Sequence, residues 1–108
     1  MEKQPLILVT NDDGVNAEGI KALTKQLQKF GRVIVVAPDE GQSGMGHAIT
    51  IKVPLRLQKH VETENLTIYS VNGTPVDCVK LAINKILDRK PDLLVSGVNH
   101  GSNSSVSV

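Results

Sequence analysis

The chain has 108 residues, of which 40% are hydrophobic and 21% are charged, and this length and composition are typical of one small globular domain. Its formal net charge is +1 and its lysines are spread along the chain, whereas a nucleic-acid-binding surface needs a concentrated basic patch. There is one cysteine, and the apolar run near the N-terminus is too short for a signal peptide or a membrane span, so we expect a cytoplasmic protein that binds neither nucleic acid nor membrane.

The first part of the chain predicts a strand, a helix and a second strand. Continuous apolar runs at residues 6–10 and 32–38 are typical of strands that are covered on both faces. Between them, residues 17–30 carry apolar side chains at helical spacing, with Asn16 as the expected N-cap and Gly31 as the expected residue after the helix. The apolar face of this helix is predicted to consist of Ile20, Leu23, Leu27 and Phe30.

A glycine-rich loop and two further strands are predicted next. Residues 39–47 contain three glycines and show no periodicity, which indicates a loop. Residues 48–57 alternate between apolar and polar side chains, which predicts a half-exposed strand or hairpin, and Pro54 restricts it to a sheet edge. Residues 66–71 are expected to form another strand.

A second helix and a last strand complete the predicted elements. Thr74 is suited to the N-cap, Pro75 to the first helical position and Asp77 to the positive end of the helix dipole. Residues 91–99 predict a third buried strand that leads into a loop. The apolar face of the second helix is predicted to consist of Val76, Val79, Ile83 and Ile86.

These elements predict an α/β fold of Rossmann-like type. We expect a mainly parallel sheet with helices on both faces and a small β-hairpin excursion. The sequence ends in the loop "SGVNHGSNSSVSV" without a following helix, so we expect the 108 residues to be a fragment, or the ordered part, of a longer protein.

Oxygen-bearing side chains follow three of the predicted strands. "NDDG" follows the first strand, "DEGQSGMGH" the second and "SGVNHGSN" the last. In an open parallel sheet the binding crevice lies beyond the carboxyl ends of the strands. Two adjacent carboxylates, Asp12 and Asp13, repel each other unless a positive charge lies beside them. Together with Ser43 and Asn99, they predict an oxygen-only site for one divalent cation, Mn²⁺, Mg²⁺ or Ca²⁺.

Each of these residues also fits a simpler role. An aspartate pair after a strand can serve as a helix cap plus a solvated charge, and Ser43 and Asn99 can be turn formers. His47 in a loop can be solvated, and Cys78 is expected to fill the core because no paired base is visible. The chain contains neither a G-x-G-x-x-G after the first strand nor a G-x-x-x-x-G-K-[ST] sequence.

Four blocks resemble the SurE survival-protein family of metal-dependent nucleotidases. They are "ILVTNDDGV", "VVAPDEGQSGMGHAIT", "VNGTPVDCVKLAIN" and "PDLLVSGVNHGSN", and they occur in the family's order over nearly the whole chain. The resemblance implies hydrolysis of nucleoside 5′-monophosphates, with activity on 3′-monophosphates and polyphosphate in some members. It also implies a cytoplasmic homodimer or tetramer that assembles through its C-terminal half.

The resemblance also implies roles for individual residues. The metal ligands fall on Asp12, Asp13, Ser43 and Asn99, and either aspartate is a candidate to take a proton from a metal-bound water. Asn11 is placed next to the phosphate. The other expected substrate contacts are Gly44, His47, Gly101 and Asn103.

Two departures and two alternatives accompany the resemblance. Residues 104–107 read "SSVS" where family members carry a Gly- and Asp-rich segment, and family members are much longer. We therefore expect activity from the full-length protein and little from 108 residues. The alternatives are a Mg²⁺-binding receiver module, which would need an aspartate where Ser96 and Gly97 stand, and an inactive binding homologue.

Overall fold

The structure, a computed structural model, describes residues 4–40 and 54–97. Two helices are present there, α1 (Glu18–Leu27) and α2 (Pro75–Leu81), and a π-helical turn (Ala82–Ile86) continues α2. Neither is long and apolar enough to cross a membrane, and the same holds for the rest of the described chain. The strands are β1 (Leu6–Thr10), β2 (Arg32–Pro38), β3 (Leu57–Glu62), β4 (Leu66–Val71) and β5 (Leu93–Ser96).

The strands form one five-stranded sheet in the order β3-β4-β2-β1-β5. β4, β2, β1 and β5 run parallel, whereas β3 pairs antiparallel with β4 as a hairpin. In the parallel register Leu8 lies between Ile34 of β2 and Leu94 of β5, which puts β1 inside the sheet. The predicted Rossmann-like sheet with a hairpin excursion is therefore confirmed.

The core has two halves, one on each face of the sheet, because alternate residues of the strands point to opposite sides. α1 covers one face through Ile20, and α2 covers the other through Cys78 and Ala82. The strand residues buried on the α1 face are Ile7, Val9, Val33, Val35, Ala37 and Val95. Those buried on the α2 face are Leu6, Leu8, Ile34, Val36 and Val71.

The hairpin strand β3 overlaps the predicted strand segment only at Leu57. The alternating pattern suggested a strand within residues 48–57, of which residues 48–53 lie outside the described residues. Residues 54–56 are described and are not in a strand, and β3 spans Leu57–Glu62 with all six residues exposed. The reason is the register with β4, which pairs Leu57 with Val71 and closes the hairpin at a turn held by the Thr63 hydroxyl and the Leu66 backbone.

α1 differs from its prediction at both ends. The N-cap is Ala17 without a side-chain hydrogen bond, so the expected cap at Asn16 is wrong. The helix stops at Leu27, and Phe30, beyond that end, is 70% exposed and not part of the apolar face. Gly31 is needed for a close approach: a β-carbon there would collide with the Pro5 carbonyl.

α2 begins as predicted, but its buried face includes only part of the predicted one. Thr74 caps it in a capping box, and Pro75 occupies the first turn. The buried residues are Cys78 and Ala82, whereas Val76 is 61% and Ile83 46% exposed. Small side chains four residues apart let the helix approach the sheet closely. Val79 and Ile86 of the predicted face are partly buried and pack against the same core cluster.

β5 is only half covered, which corrects the expectation of a fully buried strand. Val95 is buried against the α1 face, but Leu94 on the opposite face is 39% exposed. Within the described residues β5 pairs with β1 alone and forms an edge of the sheet.

Candidate active site at the carboxyl ends of the strands

The four parallel strands end at one edge of the sheet, and the predicted acidic pair lies there. Their last residues are Thr10, Pro38, Val71 and Ser96. Because β1 lies between β2 and β5, the turn that follows Thr10 lies between the ends of these two strands. Asp12 and Asp13 are in that turn and are both half-buried.

The turn from Asn11 to Gly14 is closed by one buried side chain. The Asn11 amide nitrogen Nδ2 donates to the Gly14 carbonyl at 2.9 Å, and the Gly14 N–H donates to Asn11 Oδ1 at 3.1 Å. Asn11 is fully buried. Gly14 has a φ of 105°, a conformation that side chains other than hydrogen disfavour. Two hydrogen bonds between the Asn11 side chain and the Gly14 backbone therefore close the turn that contains the two aspartates.

Backbone hydrogen bonds join this turn to the neighbouring strand ends. The Val15 N–H donates to the Pro38 carbonyl at 2.7 Å, and the Gly97 N–H donates to the Thr10 carbonyl at 2.9 Å. The first bond holds the turn against the start of the loop after β2, and the second holds it against the start of the loop after β5. These are the loops that carry Ser43 and Asn99 in the sequence.

The predicted site residues divide into two groups. Asn11, Asp12 and Asp13 are described and lie together at the carboxyl end of β1. No group of three His, Cys, Asp or Glu side chains within residues 4–40 and 54–97 is placed to share a metal ion, and the predicted ligand set contains only two residues of these types. Outside the described residues, and still predictions, are Ser43, Gly44, His47, Asn99, Gly101 and Asn103.

Cys78 is buried near the same edge, and its thiol is expected to be unreactive. Burial raises the pKa of its thiol to about 12, an effect that the neighbouring Thr10 hydroxyl opposes and the Asp77 and Asp39 carboxylates reinforce. A thiol attacks as the thiolate, so a buried thiol with a raised pKa is a poor nucleophile. The expectation that Cys78 fills the core is confirmed by its burial.

Asn72 is a residue of this edge whose role the sequence reading missed. It follows β4 directly, as Asn11 follows β1. Its Oδ1 accepts a hydrogen bond from the Arg56 N–H, and its Nδ2 donates to the Pro54 carbonyl at 3.1 Å. Asn72 thereby holds the chain that enters β3. An asparagine placed directly after a predicted strand was the available signal.

The protein-family comparison matches residues 7–108 to the model described as survival protein SurE. The chain belongs to the SurE family. Two SurE relatives named 5′-nucleotidase SurE are similar to it: that of Flavobacterium psychrophilum is 64% identical over 97% of this chain, and that of Flavobacterium johnsoniae is 61% identical over 99%. The chain spans 41% and 42% of the length of these two relatives.

A solved SurE structure has the same fold. The crystal structure of the SurE protein from Aquifex aeolicus matches with a TM-score of 0.74 and 44% sequence identity, over 92% of this chain and 39% of that one. This chain therefore shares the fold of the matched part of that structure and is about two fifths as long as the relatives it matches.

Proposed function

We propose that this SurE-family chain carries the metal-binding part of a phosphomonoesterase that hydrolyses nucleoside 5′-monophosphates to nucleoside and phosphate. Nucleoside 3′-monophosphates and polyphosphate are further candidate substrates. Two things support the proposal. Relatives up to 64% identical are named 5′-nucleotidase SurE. The observation that carries it is the half-buried acidic pair, Asp12 and Asp13, in a closed turn at the edge where parallel sheets bind ligands.

A single divalent cation is the proposed cofactor, and the described residues fit it. Carboxylate oxygens suit Mn²⁺, Mg²⁺ and Ca²⁺, and no thiol or imidazole is needed in this donor set. The proposed ligands are Asp12 and Asp13, with Ser43 and Asn99 from the segments that follow β2 and β5 in the sequence. When bound, such an ion neutralises phosphate charge and lowers the pKa of a water molecule.

The chain's own residues have the tasks of orientation and proton transfer. Asp12 and Asp13 are the two candidates to accept a proton from the attacking water, since both carboxylates are in the proposed ligand set. The proposed phosphate contacts are Gly44, His47, Gly101 and Asn103. A cysteine nucleophile is not part of the proposal, because Cys78 is buried and its pKa is raised to about 12.

The proposed setting of the activity follows the family resemblance. The substrate partner is a nucleoside monophosphate, and the proposed assembly is a cytoplasmic homodimer or tetramer. Nucleic acid and membrane are not proposed as partners, since the net charge is +1 with dispersed lysines.

Phosphate release tests the proposal. The protein at its full natural length is incubated with a panel of nucleoside 5′- and 3′-monophosphates, first with EDTA and then with Mn²⁺ or Mg²⁺ added back. Release that EDTA stops and a metal restores supports the proposed function. Absence of release with every metal contradicts it and favours a binding role, and Mg²⁺-dependent phosphorylation by acetyl phosphate would instead identify a receiver module.

A further inference from the structure

The Asn11 side chain forms two hydrogen bonds within the turn that carries the acidic pair. Its amide nitrogen donates to the Gly14 carbonyl at 2.9 Å and its amide oxygen accepts from the Gly14 N–H at 3.1 Å. The pair of bonds spans residues 11–14, and only Asp12 and Asp13 lie between the two ends. The closure therefore sets the backbone from which both carboxylates project.

Contact with a phosphate group is the competing role for this side chain. An asparagine amide has two N–H donors and one acceptor oxygen, and one donor and the oxygen are already engaged with Gly14. The remaining N–H is not accessible, because Asn11 is fully buried. A phosphate could reach it only if the turn opened, and opening would break both bonds to Gly14.

The turn needs this side chain because its last residue imposes little order of its own. Gly14 adopts a φ of 105°, and a glycine in that conformation is free to move to many others. Neighbouring strands hold the turn at its outer ends, through Val15 to Pro38 and through Gly97 to Thr10. These two bonds lie outside the segment 11–14, whereas the two Asn11–Gly14 bonds lie within it and close the backbone on either side of Asp12 and Asp13.

We infer that Asn11 is a positioning residue: by bonding both backbone groups of Gly14, it holds the Asp12 and Asp13 carboxylates in place to bind a divalent cation. The inference rests on the proposed function, since it takes these two carboxylates as metal ligands. Removing a group that orients a metal ligand typically lowers metal affinity by about 10- to 100-fold. Loss of the Asn11 amide should act in the same way, without any phosphate present.

Calorimetric titration with Mn²⁺ alone tests the inference on the protein at its full natural length. Asn11→Ala is expected to weaken Mn²⁺ binding by at least about tenfold. Gly14→Ala keeps the amide but disfavours the φ of 105° and is expected to weaken binding in the same direction. Asn11→Ser retains one short hydrogen-bonding group and is expected to fall between Asn11→Ala and the unchanged protein.

Val33→Ala is the control for a loss of stability as such. Val33 is fully buried near the start of β2, at the end of the sheet opposite the turn, so its truncation destabilises the fold without touching the site. Its Mn²⁺ affinity is expected to stay within about twofold of that of the unchanged protein. If Asn11→Ala does not fold, the Mn²⁺ affinities of Asn11→Ser and Gly14→Ala are compared with that of Val33→Ala instead.

The outcomes separate the inference from the proposed function. Unchanged Mn²⁺ affinity in Asn11→Ala, with a raised KM for the phosphate ester, would overturn the positioning role and indicate a phosphate contact. An equal loss of affinity in Val33→Ala would overturn it as a mere stability effect. If the unchanged protein bound no Mn²⁺, or if Asp12→Asn and Asp13→Asn bound it normally, the proposed metal site would itself be wrong.

Discussion

The Cys78 thiol is predicted to be almost inert in the folded protein, and its reactivity can be calculated from the structure. Burial between α2 and the strands β1, β2 and β4 raises its pKa from the ordinary 9.0 to about 12. Each step of one in pKa changes the thiolate population tenfold near neutral pH, so the folded protein holds about a thousandfold less thiolate than an unfolded chain. Lack of access to a reagent slows the reaction further.

The measurement is the rate of alkylation by iodoacetamide near neutral pH, with and without enough urea to unfold the chain. We expect the native rate to be lower by at least about a thousandfold, with the residual reaction passing through transient opening. A native rate within about tenfold of the unfolded rate would refute the reasoning, because the thiol would then be both exposed and ionisable. Phosphate release by Cys78→Ala, once the variant is shown to fold, should stay within about twofold, since no thiolate nucleophile takes part.

Three further predictions concern the scaffold that carries the site. Thr74→Ala removes the acceptor of the α2 capping box and should destabilise the protein by about 1 kcal/mol, seen as a fall in Tm of roughly 4–8 °C, whereas no change in Tm would contradict the cap. Gly31→Ala should cost about 1–3 kcal/mol in a denaturant titration, because its β-carbon collides with the Pro5 carbonyl; a neutral effect would show that this approach is looser. The hydrogen bond from the Leu6 N–H lowers the pKa of Asp92, so its stabilisation is present above the ordinary value of 3.8 and is lost as pH falls through the folded value. In the Asp92→Asn variant, Tm should therefore decrease less as the pH is lowered into the acid range. A Tm that depends on acid pH in the same way as that of the unchanged protein would contradict this assignment.

The parallel strands were predictable from sequence because their apolar runs are continuous and end at turn residues. β1 and β2 have the predicted bounds, and β4 does as well. The hairpin strand β3 was not predictable from alternation, because its position follows from pairing with β4 and all six of its residues are exposed.

Helix faces were predicted less well, for two physical reasons. In α2 the large side chain of Val76 suggested the buried face, but close packing on the sheet favours the small residues Cys78 and Ala82. The π-helical turn that follows changes the number of residues per turn, which a regular helical period does not anticipate. In α1 the apolar spacing extended to Phe30, but the helix ends before it.

In the candidate site, the position of the acidic pair was predictable from the sequence, but the hydrogen bonds that close its turn were not. The position of Asp12 and Asp13 at the carboxyl end of β1 was predictable, because a turn after a parallel strand must lie at that edge. The bonding of Asn11 to Gly14 was not, since it depends on a glycine φ of 105° and on complete burial of the amide. Sequence pattern indicated the edge at which Asp12 and Asp13 lie, and the backbone conformation determines how their turn is closed.

The most direct test of the central claim measures Mn²⁺ binding and phosphate release together, in the protein at its full natural length. Asp12→Asn and Asp13→Asn are compared with Asp88→Asn, an exposed aspartate in the connection before β5, away from the candidate edge. We predict that each site variant loses both properties by at least about a hundredfold and that Asp88→Asn retains both. Normal turnover in either Asp12→Asn or Asp13→Asn would contradict the assignment of the acidic pair as the metal site.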